Sequence, residues 1–289
     1  VDTLISCVND LLTAFENAGI RLVIGGGYGL FLRLTQMPDN GMQTVLRREA
    51  WPTVRSTNDI DVFITLEVIT DAKSSSAVRE VLDNLGCREI DSAKFWQFTF
   101  PGRKNLEDQD VKIDLLTGPV PKVQRSKVKI RDQRVRPVQK PEPPLHARQT
   151  PEAHLIERTI PIEISRNTDV GIEIIGTIHI PIPYTYLLMK LKAFEDRIND
   201  EEDQFGARHA ADIFLIIATM TFTEFQTTQE LVAENIDVAA VQDAIRIFKA
   251  HFQKDDGNGL LKILQAHNLT LQNENFQLFR QALQQLLDK

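Results

Sequence analysis

The segment VIGGGYGLFLRL, Val23 to Leu34, decides how the N-terminal half folds. A short apolar run stops at Gly25-Gly26-Gly27, and a second apolar pattern starts directly behind it. Consecutive glycines at that point call for a tight backbone free of side chains. The reading is therefore strand, turn, helix: IRLVIG is a short buried strand and YGLFLRLTQ opens a helix. Further along lies RSTNDIDVFI, Arg55 to Ile64, where two acids interrupt an apolar run. Its β-branched content makes DIDVFITL a strand. Strand periodicity then puts Asp59, Asp61 and Phe63 on one face and Ile60, Val62 and Ile64 on the other. Two carboxylates a few ångströms apart repel, and a hard divalent cation such as Mg²⁺ removes that penalty. In VKIDLL the same alternation groups Lys112, Asp114 and Leu116. If the two strands are neighbours, Asp114 joins Asp59 and Asp61 as a third carboxylate.

Working outward from these segments, residues 2–18 read as an amphipathic helix with Leu4, Ile5, Val8, Leu11, Leu12 and Phe15 on its apolar stripe and Gly19 as its stop. The stretch from Met37 to Val54 carries Pro38, Asn40, Gly41 and Pro52 and reads as a loop-rich insertion. SSAVREVLDNLG is a helix, and KFWQFTFPG and VKIDLLTG are further strands. Alternating strands and helices imply an α/β sheet domain. From Gly118 to about Pro161 proline, lysine and arginine dominate, which reads as a long loop or irregular hairpin centred on residues 119–150. IPIEIS and VGIEIIGTIHIPIP return to strand character. After Tyr184 the apolar residues recur at helical spacing in YTYLLMKLKAFEDRI, RHAADIFLIIATM, VAAVQDAIRIFKAHF and NFQLFRQALQQLLDK. The expected organisation is a sheet domain over 1–183 and a helical bundle over 184–289.

Bulk properties narrow the function classes. A net charge of −7 argues against a generic nucleic-acid coat protein, so such a partner would need a local basic patch. The stretch Lys122–Lys140 offers one: eight Lys or Arg against the single acid Asp132. Cys7 and Cys87 stand in unlike contexts, which argues against a disulfide framework and a C-x-x-C metal site and fits a reducing cytoplasm. No apolar run is long enough to span a bilayer, and the N-terminal stretch, with acids early and no basic region, does not read as a signal peptide. The glycine run matches neither G-x-G-x-x-G nor G-x-x-x-x-G-K-[ST], so the dinucleotide-fold and P-loop readings lack a basis. The histidines show no ligand spacing, and Tyr184 and Tyr186 read as core.

Taken singly, each motif has a bland explanation: a strand-end acid pair in water, a plain strand–helix turn. In order they are more specific. A strand, a Gly-Gly turn opening a helix, an h-D-h-D-h strand and an h-D-h strand together resemble the nucleotidyltransferase superfamily related to DNA polymerase β. The closer resemblance is to the AbiEii/AbiGii-type toxin nucleotidyltransferases, carried by Gly26-Gly27-Tyr28-Gly29-Leu30, by Arg55-Ser56-Thr57-Asn58-Asp59-Ile60-Asp61, and by LLMKLKAFEDR followed by HAADIFLI. It spans most of residues 20–217. Many relatives carry a serine where this chain has Gly27. The stretch before Asp59 is longer than is usual in that superfamily, and the basic loop is not a general feature of it.

The resemblance implies a mixed sheet with helices on one face, and a Mg²⁺-dependent transfer of a nucleotide from an NTP to a hydroxyl acceptor. It assigns Asp59, Asp61 and Asp114 to two metal ions, with Asp114 nearest the acceptor. It assigns Gly26, Gly27 and Arg55 to phosphate, together with Lys190 or Lys192. Two lysines two apart on a helix point different ways, so at most one serves. Arg197 and Asp212 complete the motif and have a structural alternative, an ion pair between helices. The acceptor implied is a tRNA end or a protein hydroxyl, with an antitoxin protein as partner. The basic loop favours RNA. The alternatives are a binding module that has lost turnover and a transferase acting on a small hydroxylated molecule.

Overall fold

The computed structural model describes residues 3–37, 42–52, 57, 59–105, 108–139, 144–168, 171–201 and 204–289. The chain is of the α/β class and divides into two compact units. One comprises Val1–Gln36 with Ser56–Pro181, the other Met37–Arg55 with Ile182–Lys289. The Met37–Val54 stretch therefore groups with the helices rather than with the sheet, where the expected 1–183 boundary would put it.

The sheet unit opens with α1 (Thr3–Asn17), β1 (Val23–Ile24), α2 (Gly26–Gln36) and β2 (Asp59–Phe63). Then come α3 (Leu66–Thr70), α4 (Ala72–Asn84), β3 (Arg88–Glu89), β4 (Gln97–Lys104) and β5 (Asp110–Thr117). β6 (Val128–Arg131), β7 (Arg134–Pro137), β8 (Ala147–Gln149), β9 (Thr159–Thr168) and β10 (Gly171–Pro181) complete it. The ten strands form one sheet in the order β6-β7-β8-β5-β2-β1-β10-β9, with β4 also on β5 and β3 on β4. The sheet is mixed: β1/β10, β2/β5 and β5/β8 are parallel and the other pairs antiparallel.

Alternation produces this sheet. On β2, β4 and β5 every second residue is apolar, and Ile60, Val62, Phe98, Phe100, Val111, Ile113 and Leu115 are all buried. α1 packs on β4, β10 and α4, burying Leu4, Cys7, Val8, Leu11, Leu12 and Phe15. Cys7 thus takes the core place expected of Ile5, which is half buried. Gly19 follows the helix at φ +68°, with Ile20 N–H donating to Phe15 O (2.9 Å). Strands end sooner than the apolar runs do. DIDVFITL is strand only to Phe63, because Thr65 caps α3 by accepting from Val68 N–H.

The basic stretch is more ordered than its composition implies. Lys122–Lys127 forms a short 3-10 turn, and β6, β7 and β8 then extend the sheet. VKIR and RVRP alternate apolar and basic residues, so Val128, Val135 and Pro137 are buried while the cations take the other face.

The helical unit contains α5 (Pro183–Arg197), α6 (Ala207–Ala218), α7 (Phe222–Glu234), α8 (Ala239–His251), α9 (Asn258–His267) and α10 (Glu274–Leu287). α5 packs on α6 and α8, α6 on α9, and α10 on α6 and α7. Phe194 meets Phe252, and Phe214 meets Phe279, edge to face. Tyr184 and Tyr186 are buried. The 42–52 segment lies along this unit: Val45 N–H donates to Met220 O (2.9 Å) and Leu46 N–H to Ala218 O (3.0 Å).

Candidate active site

Strand register brings the acids together. β2 and β5 are parallel neighbours, with Asp61 directly opposite Asp114 and Asp59 opposite Lys112. Bridged residues on neighbouring strands face the same way, so all four side chains share a face. β4 lies on the far edge of β5 and sets Gln97 opposite Asp114. One row across the sheet is thus Asp61, Asp114, Gln97; the row beside it is Asp59, Lys112, Thr99. The Gln97 amide donates to Asp114 Oδ1 (2.9 Å), and Lys112 Nζ stands 3.7 Å from Asp59 Oδ2.

Burial, and then the adjacent Asp61 carboxylate, push Asp114 up to about 7. Lys112 and the Gln97 amide act in the opposite direction and Asp59 adds to the rise. Backbone pairing thus sets two carboxyl groups against each other.

The glycine turn belongs to the same place. Gly25 N–H donates to the Asp61 carbonyl (2.8 Å), continuing the β1/β2 ladder. Gly26 has φ +60°, and a Cβ built there would come within 1.8 Å of Asp61 Oδ2. Only glycine lets α2 begin this close to the carboxylate. The first intrahelical bond runs from Gly29 N–H to Gly25 O (2.8 Å), so the amides of Gly26 and Gly27 stand ahead of the ladder. That helix end carries partial positive charge. It lies beside Asp61, on the carboxylate face of the sheet.

The donor set suits an Mg²⁺ ion: the oxygens are hard, two of the acids oppose each other, and the absence of a side chain at Gly26 lets the Asp61 carboxylate lie against the start of α2. Among the described residues no three such side chains already converge at metal-ligand distance, since Asp59 leans toward Lys112 instead.

The remaining expected residues have other surroundings. Arg55 lies outside the described residues. Lys190 is buried in the helical unit, its Nζ 2.7 Å from Asp212 Oδ2, with side chains only 7% and 4% exposed. Lys192 is half exposed and binds Glu195 (3.1 Å) and Asp196 (2.8 Å) on its own helix. Arg197 pairs with Asp200 (2.6 Å), so the pairing of Arg197 with Asp212 is corrected to Lys190 with Asp212. Sequence reasoning missed Gln97 and Lys112 as neighbours of the acids. Alternation signals their face, whereas the register that sets them opposite Asp114 and Asp59 is a tertiary property.

Comparison with protein-family models, curated proteins and solved structures finds no match to the chain.

Proposed function

We propose that the chain is an Mg²⁺-dependent nucleotidyltransferase that moves a nucleotide from an NTP to a hydroxyl acceptor, an RNA end. The observation supporting this most directly is the opposition of Asp61 and Asp114 with Gly26 seated against Asp61. Two opposed carboxyl groups beside a helix start suit a cation with a phosphate.

Asp59 and Asp61 would hold the ion that grips the triphosphate, and Asp114 would share a second with them. Bound Mg²⁺ would neutralise the acids and polarise the phosphoryl oxygens. The Gly26 and Gly27 amides would seat a phosphate at the start of α2. Asp114 would take the proton of the acceptor hydroxyl as its oxygen bonds to the α-phosphorus and pyrophosphate leaves. Gln97 would orient Asp114 through its 2.9 Å bond. Little else is required of the protein, because such transfer depends on positioning and charge.

A binding module of the same fold without turnover is the second reading. The burial of Lys190 against Asp212 favours it, because the triphosphate lysine implied by the resemblance has a structural partner. Incubation with labelled NTPs, Mg²⁺ and total RNA separates the two. Label in RNA that vanishes in Asp61→Asn supports the transferase. Intact NTP binding with no label in RNA, protein or small hydroxylated acceptors supports the module.

A further inference from the structure

The carboxylate face of the sheet does not end at β5. Leu116, two residues beyond Asp114 and on its face, is opposite Arg148 on β8. Arg148 is opposite Arg134 on β7, and Arg134 is opposite Arg131 on β6. One step along β7, Arg136 is opposite Lys129. Bridged partners share a face, so Arg148, Arg134, Arg136, Arg131 and Lys129 all lie on the side of the sheet that carries Asp59, Asp61 and Asp114. The opposite side of the same strands is Val128, Ile130, Val135, Pro137 and Ala147.

Spacing makes this a track. Strands about 4.8 Å apart and same-face residues about 6.7 Å apart put the Arg148 Cα about 8 Å from that of Asp114, and the Arg131 Cα about 16 Å away. That is the reach of two or three nucleotides of a single strand. Arg148, Arg131 and Lys129 are exposed, with Arg148 Nε bonded to the neutral Gln133 amide (3.1 Å). The Arg131 partner Asp132 is itself 90% exposed, so that pair is weak.

Arg134 is the fixed point. Its Nη2 donates to Lys94 O (2.6 Å), its Nε to His146 Nδ1 (2.9 Å), and its guanidinium lies over the Phe95 ring. Phe95 adopts φ +76°, a strained conformation for a phenylalanine, and its carbonyl accepts from His146 N–H (2.9 Å). Burial and the neighbouring arginines hold His146 down to about 4, so the histidine is a neutral acceptor. Arg136 Nε is buried with no hydrogen-bond partner among the described residues.

We propose that the β8–β7–β6 ribbon binds the phosphate backbone of a single-stranded RNA whose 3′ end lies at Asp114. This rests on the transferase reading for the role of the end, but not for the binding itself. A single strand suits this ribbon, because its bases can splay away from a backbone held by the cations. The phosphodiester charge complements a dense cationic face on a protein of net charge −7.

The test is fluorescence anisotropy with a labelled 3′-hydroxyl RNA dodecamer, without NTP, across a salt series. The triple variant Lys129→Ala/Arg131→Ala/Arg148→Ala alters exposed side chains only. It is expected to weaken binding at least tenfold and to lower the salt slope by about 2, at about 0.7 per lost single-strand phosphate contact. A charge-matched control, Lys73→Ala/Lys249→Ala/Lys254→Ala, is expected to bind as the parent does. Equal loss in both triples, or none in the first, overturns the track. Equal affinity for the matching DNA dodecamer overturns the RNA assignment. RNA binding that depends on the ribbon, with no label transfer, leaves the track standing and removes the transferase reading. Transfer to RNA unaffected by the triple variant does the reverse.

Discussion

Two charge constellations in this molecule follow opposite rules. Lys190 and Asp212 are almost wholly buried and compensate each other across α5 and α6, at 2.7 Å. Asp61 and Asp114 are both acids, are half buried, and stand opposite each other through strand pairing. The first pair is at rest, since each charge satisfies the other. In the second, burial and then the neighbouring Asp61 carboxylate hold Asp114 up at about 7. A buried ion pair between helices is an ordinary structural device, whereas the opposed carboxyl groups beside the glycine turn are what the proposed cation site is built from. The comparison also explains why a lysine matching the family pattern need not serve phosphate in this chain.

Breaking the compensated pair gives the largest expected effect. Lys190→Met leaves Asp212 buried without its cation and is expected to cost about 3–5 kcal/mol in urea denaturation. The double variant Lys190→Met/Asp212→Leu is expected to regain most of that loss. A small loss in the single variant would mean that the pair is not the resting element described above.

The next effect sharpens the other side of the comparison. Gly26→Ala forces a Cβ into Asp61 Oδ2 at a φ of +60°. It is expected to cost at least about 1–2 kcal/mol from the left-handed backbone alone. A misplacement of this size is also expected to lower label transfer about a hundredfold. Normal transfer by Gly26→Ala would separate the glycine turn from the site.

A smaller effect calibrates the helical unit by itself. Thr221 caps α7, accepting from Glu224 N–H (3.2 Å), while Glu224 Oε2 accepts from Thr221 N–H (2.8 Å). Thr221→Ala is expected to cost about 1 kcal/mol and to leave RNA binding by the ribbon unchanged.

How much of this was legible in the sequence depends on periodicity. Alternation in DIDVF and VKIDLL told correctly which residues share a face. It could not tell that β5 lies beside β2 in the register that opposes Asp61 to Asp114, because register comes from the whole sheet. The ribbon read as a loop or hairpin because its runs are four residues or fewer and rich in lysine, arginine and proline. Yet VKIR and RVRP already alternate. α7 went unread because FTEFQTTQELVAE buries only Thr228, Leu231 and Val232. Its identity as a helix rests on the Thr221 cap and on packing against α10. The Lys190 partner was not legible because sequence spacing does not pair residues on separate helices.

Thermal melting of the protein and of Asp114→Asn, each with and without Mg²⁺, tests the account most directly. Removing one of two opposed charges is expected to raise the melting temperature of the metal-free protein. Mg²⁺ is expected to raise that of the parent and to do little for the variant. A variant that melts lower without metal, or a parent indifferent to Mg²⁺, would contradict it.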